Sequence, residues 1–135
     1  MKAQPLLAFL LLAVAPLRAV SADDRKSIQG VWIGGMPGEA AGSMELTITP
    51  SKISGRNPRT GESLGEGSYE LDPVNHTIDT VRIAKFGRGT KYLGRYALEG
   101  NKLRWVSSSH GPKRPADLAH RPERDQFLMI LERER

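Results

Sequence analysis

Hydrophobic and polar residues alternate along most of this chain in short runs, and glycine, proline and asparagine separate the runs. Met44, Leu46 and Ile48 interleave with Glu45, Thr47 and Thr49. A period of two turns one set of side chains to a core and the other to water, so this run predicts a strand. Pro50 ends it, and residues 52–55 form a short strand after a tight turn. Before it, residues 23–29 suit a helical turn, 28–34 a first strand, and the Gly- and Pro-rich 34–42 a loop. Residues 56–65 are polar and turn-rich; 67–71 alternate again, with Tyr69 and Leu71 on one face. Asp72-Pro73-Val74-Asn75 is a turn by composition. Residues 77–84 favour a strand, but their apolar positions change face between Ile78 and Val81, as a bulge or burial on both sides would cause.

The clearest hairpin is residues 91–98 and 102–107 around Glu99-Gly100-Asn101, because Gly and Asn tolerate the positive φ of tight hairpins. Tyr92, Tyr96 and Leu98 share one face of its first arm; Leu103 and Trp105 share one face of its second. Residues 110–124 are a long connection containing proline and lacking a period, and 126–133 are the last strand. The pattern predicts an all-β domain of eight antiparallel strands in an up-and-down barrel, its interior filled or holding one small ligand.

The N-terminus breaks this pattern. Lys2 precedes an apolar run over residues 6–15, Pro16 interrupts it, and Val20-Ser21-Ala22 offers small residues before Asp23. These are the three parts of a secretory signal peptide, so residues 1–22 are expected to leave by cleavage after Ala22, and 23–135 to form the barrel in a secreted or periplasmic protein. The run is too short to span a bilayer, which needs about 20 residues, and no later segment is apolar enough, so no transmembrane segment is expected in the mature chain. With no cysteine in the sequence, stability must come from packing and ladder hydrogen bonds rather than disulfides. Losing Lys2 and Arg18 with the leader lowers the formal charge of +5 by two. The remaining cations are spread over predicted strands and turns among acidic residues rather than clustered with stacking aromatics, so no nucleic-acid partner is expected.

Several segments together, in order, resemble the lipocalin superfamily, and more closely the small secreted lipocalin-like domains known mainly from planctomycete bacteria. They are Ile28-Gln29-Gly30-Val31-Trp32, Leu46-Thr47-Ile48, Gly67-Ser68-Tyr69-Glu70-Leu71-Asp72-Pro73, Thr77-Ile78-Asp79, Tyr96-Ala97-Leu98-Glu99-Gly100-Asn101-Lys102-Leu103, Arg114-Pro115 and Leu131-Glu132-Arg133. Leu118 departs from the pattern, since an aromatic is expected after Arg-Pro. The resemblance implies a barrel and an extracytoplasmic location, and transfers no catalytic residue. It also implies that Trp32 packs at the closed end with a terminal Arg across its indole: Arg133, or Arg135, which shares its strand parity. A guanidinium over an indole gains about 0.5–2 kcal/mol, and Gly30 lets the backbone pass close to its neighbours.

Few residues suggest chemistry. Gly61-Glu62-Ser63-Leu64-Gly65 matches a nucleophile elbow, but that motif works on a strand-to-helix turn of a large α/β fold, and this one lies in a polar loop. His76, His110 and His120 lack metal-ligand spacing, so neither a metal nor a cofactor is expected. Asn75-His76-Thr77 is a formal glycosylation acceptor. Tyr69, Tyr92, Tyr96 and Trp105 are the candidates for lining a cavity, since small-ligand pockets are apolar with a few polar groups. Arg82, Arg95 and Arg104 are candidates for setting its polarity. The expected role is non-catalytic binding of a small, partly apolar ligand in the barrel mouth; the alternative is an envelope or interaction module with a filled core.

Overall fold

Each alternating run pairs with its chain neighbours, and the last pairs with the first. The computed structural model describes residues 24–37, 42–84, 89–108, 113–118 and 126–134; the leader predicted for 1–22 lies outside them. A helical turn, α1 (Asp24–Ser27), precedes β1 (Gly30–Gly35), β2 (Met44–Ile48), β3 (Lys52–Arg56), β4 (Ser63–Asp72), β5 (Thr77–Ala84), β6 (Lys91–Glu99), β7 (Lys102–Ser108) and β8 (Gln126–Arg133). All neighbours run antiparallel, and the β1–β8 ladder, from Trp32 opposite Arg133 to Gly35 opposite Ile130, closes the barrel. Among the described residues no helix is long and apolar enough to cross a membrane.

Inward positions are apolar. Trp32, Leu46, Ile48, Ile53, Ile78, Tyr96, Leu103, Trp105, Met129 and Leu131 form one buried cluster. Outward positions of the same strands carry Glu45, Lys52, Glu70, Asp79, Lys102 and Glu132, the reverse of the patterning of a membrane-spanning barrel.

The two ends differ. At one end the turns are short: 49–51, 73–76, and Gly100-Asn101 between the paired Glu99 and Lys102. Gly100, at φ 59°, takes the positive-φ position of that hairpin. In the 73–76 turn the Asp72 carboxylate accepts the Val74 and Asn75 backbone N–H groups and the Asn75 side-chain amide. The amide bond above all holds the Asp72 carboxyl below its ordinary pKa. The longer connections, spanning 36–43, 57–62, 85–90 and 109–125, leave from the opposite end.

The short-turn end is sealed around Trp32, which is fully buried. Its indole N–H donates to Ile28 O at 2.9 Å. The Arg133 guanidinium lies 4.3 Å from the indole centroid, donating to Gln29 O at 2.9 Å and to Ser27 O. One cation thus ties β8 to β1 and caps α1, as the resemblance implied for Arg133; Arg135 lies outside the described residues. Gly30 sits at φ 126°, where a Cβ would come 3.1 Å from the guanidinium, so a side chain there meets backbone strain and crowding together.

Three expectations change. Ile28 is not the first strand residue: it ends the α1 turn, its N–H bonded to Asp24 O at 3.0 Å, and plugs the barrel end fully buried. β4 begins at Ser63, inside the stretch expected to be loop, because 63–66 find partners on β3. The change of face in β5 lies later than expected: pairing is regular from Ile78 to Arg82, and Ile83 is the extra residue between Gly67↔Arg82 and Glu66↔Ala84. Val81 simply points outward.

Replacing Arg133 by Met should keep the apolar stem over Trp32 while removing the cation and its hydrogen bonds to the Gln29 and Ser27 carbonyls. The expected loss is about 2–4 kcal/mol of unfolding free energy, read as a lower urea midpoint; an unchanged midpoint would show that the cap contributes nothing to stability.

Candidate functional site

The barrel is filled at the sealed end and hollow toward the long connections. The cause is side-chain size: β3 and β4 present Gly55, Gly65 and Gly67 inward, where the sealed end has Leu, Ile and Trp. The resulting cavity of about 170 Å³ is walled by Met44, Leu46 and Ile53 on one side and by Trp105, Phe127 and Met129 on another. Leu64, Thr80, Arg82, Tyr92 and Ser107 also line it. Glu66 also borders it, but alternation turns its carboxylate outward, where it pairs with Lys52 at 3.1 Å.

Of the seven residues expected to bind ligand, Tyr92, Trp105 and Arg82 line this cavity. Trp105 is buried, and its indole N–H has no hydrogen-bond partner among the described residues. Arg82 turns its guanidinium into the mouth, donating from Nη1 to Leu64 O at 3.2 Å and sitting 5.8 Å from the Tyr92 ring centroid. Gly65 makes room for it. At φ 127°, a Cβ on Gly65 would fall 2.1 Å from the Arg82 Nη1.

Tyr69 and Tyr96 point inward but reach the sealed end instead. The half-buried Tyr69 donates to Thr49 O at 2.6 Å, and burial raises its hydroxyl pKa. Tyr96, opposite Trp105 in register, is buried and donates to the Asp24 carboxylate at 2.7 Å. Burial first, then the hydrogen bond and charge of Asp24, with Asp72 adding, push its hydroxyl far above the ordinary tyrosine range; Arg25 opposes them.

Arg95 and Arg104 are corrected more fully, because they face outside. Each neighbours an inward aromatic in sequence, Tyr96 and Trp105, and so must point the other way. Arg95 donates to Pro115 O at 2.6 Å and Arg104 to Leu118 O at 2.9 Å. Arg114 reaches back to Asp79 with two bonds, at 2.6 and 3.0 Å, and to Gly94 O at 2.8 Å. Residues 113–118 are therefore a strap tied to the outer wall. On that wall Val106 and Leu128, paired in register and outward-pointing, are only 1% and 3% exposed.

Ser63 of the elbow-like motif is an exposed first residue of β4, and its Oγ accepts the Gly65 N–H at 3.2 Å. His76 lies exposed in the β4–β5 turn, its ring edge-on to Tyr96 at 5.7 Å; His110 and His120 lie outside the described residues. Asn75 Nδ2 is bonded to Asp72. Among the described residues no three His, Cys, Asp or Glu side chains come together as metal ligands would.

No protein-family model matches the chain, and neither the curated proteins nor the solved structures contain a match.

The Tyr96 hydroxyl gives a pH dependence of stability. Its proton is held more tightly in the folded chain than in the unfolded one. Its contribution is therefore complete below the unfolded value of about 10 and declines as pH rises beyond it. Tyr96→Phe should flatten the fall in unfolding free energy between about pH 9 and pH 11, with Tyr69 retaining part of it. Urea unfolding at several pH values checks this; the same alkaline slope in the variant would remove Tyr96 from the account.

Proposed function

We propose that this protein is a non-catalytic carrier or sensor of a small, partly apolar molecule, held in the barrel mouth and serving outside the cytoplasm after removal of residues 1–22. The observation that carries the reading is the cavity of about 170 Å³ above a fully packed base. Close packing is the rule in protein interiors, so a void walled by apolar and aromatic side chains is a place for a guest. Its size limits the guest. An apolar cavity of about 150 Å³ accepts benzene, whereas sites for drug-sized molecules run to roughly 300–1,000 Å³. The ligand is thus a single ring or a short chain. The resemblance to lipocalins is supported by the Trp32–Arg133 cap and by a barrel sealed at one end. A void of this size favours ligand binding over the alternative of an interaction module with a filled core.

The two tryptophans supply the test. Trp32 is sealed at the base, and Trp105 lines the cavity. Titration with single-ring and short-chain apolar compounds should give a saturable change in emission and a rise in Tm, since a ligand that binds only the folded state stabilises it. In Trp105→Phe the emission change should vanish while the rise in Tm persists. A panel that produces neither signal in the natural protein would defeat the proposal.

A further inference from the structure

We infer that the mouth selects a small organic monocarboxylate, its apolar ring or chain in the cavity and its carboxylate on the guanidinium of Arg82. This rests on reading the cavity as a ligand site and goes further by naming the chemistry that the site recognises.

Arg82 is the cation that the described residues turn into the mouth, and it stays charged at any physiological pH. Ion pairs among those residues include Lys52–Glu66, Arg56–Glu45 and Arg114–Asp79, and Arg82 is in none of these three. None of those carboxylates competes for it, so an anion arriving beside it meets an unopposed positive charge at the edge of an apolar cavity. The described contacts engage one of its five N–H donors, through Leu64 O. The planar fork that remains matches a carboxylate, which accepts two parallel bonds.

The guanidinium is also held in place before any ligand arrives. Its backbone is fixed on both sides, Arg82 N to Thr90 O at 3.0 Å and Gly89 N to Arg82 O at 2.7 Å. The bulge at Ile83 follows immediately, and bulges often re-aim a neighbouring side chain. Tyr92 and the bare inner face of Gly65 flank the side chain. Preorganisation of this kind lowers the entropy lost on binding. Trp105, Phe127 and Met129 line the same cavity with aromatic surface and soft sulfur. One cation at the mouth balances one negative charge, which favours a monoanion over a phosphate dianion, and a volume of about 170 Å³ accommodates a ring or a short chain beside it.

Calorimetric titration of acid and amide pairs of equal shape tests this: benzoate against benzamide, and hexanoate against hexanamide, at pH 7. The natural protein should prefer the acid of a pair about tenfold or more, with the preference shrinking as salt is added. In Arg82→Gln, shown to be folded by its melting curve, acid and amide should bind within about threefold of each other. Equal affinity for acid and amide in the natural protein, or a preference that survives in Arg82→Gln, would overturn the inference while leaving a ligand cavity intact. Failure of all four compounds to bind would overturn it together with the proposed function. Should Arg82→Gln unfold, the acid-to-amide ratio and its salt dependence in the natural protein decide alone.

Discussion

The guanidinium of Arg133 joins the two strands whose ladder closes this barrel. Arg133 stands at the end of β8, directly opposite Trp32 at the start of β1, and lies over its indole while donating to Ser27 and Gln29 carbonyls of the incoming chain. The indole N–H in turn donates to Ile28 O. The indole and guanidinium N–H groups at the base thus meet backbone carbonyls of the entering chain, which lowers the cost of closing it. In a chain with no cysteine this network does the joining that a disulfide performs in many exported domains. Gly30 is bound to the same constraint, since the guanidinium occupies the space its side chain would need.

With the base fixed, the interior divides by residue size. Large apolar side chains converge below the level of Trp105, and glycines take inward positions on β3 and β4 above it. Packing has therefore been concentrated where it stabilises the barrel and relaxed where it would exclude a guest. The outer wall shows a second economy. The strap of residues 113–118 uses three arginines to satisfy its carbonyls and one carboxylate, so that a connection without regular structure is still anchored. Arg95 and Arg104 are engaged outside the barrel, and Arg82 lines the mouth.

Much of this was legible in the sequence. Period-two alternation reports burial directly, so the strands of the barrel and the inward faces of the β6–β7 hairpin followed from residue type. Boundaries were less legible. Ile28 continues an apolar pattern yet serves as a plug, and Ser63 to Glu66 look like loop because they lie in a polar, glycine-containing stretch, although they pair with β3 across the 57–62 connection. Within the site, parity separates the arginines: Arg82 shares the face of Ile78, whereas Arg95 and Arg104 sit beside Tyr96 and Trp105 and must face away. What parity does not give is height along the barrel. Tyr69 and Tyr96 point inward but belong to the base, and that depends on stagger between strands, which no local pattern encodes. The cavity itself was hidden for the same reason, because glycines on different strands make a void only when register brings them level.

The seam between β1 and β8 has a kinetic consequence. Every other ladder joins strands adjacent in the chain and can zip as a hairpin, but this one must bring residue 32 to residue 133. Loop-closure entropy is heaviest for such a contact, and topologies that depend on it fold slowly. Until it forms, two raw strand edges face solvent, and each is a template for pairing with a second copy. The time β8 takes to find β1 therefore bears on strand exchange and aggregation, and the Arg133 contacts across this seam oppose its reopening.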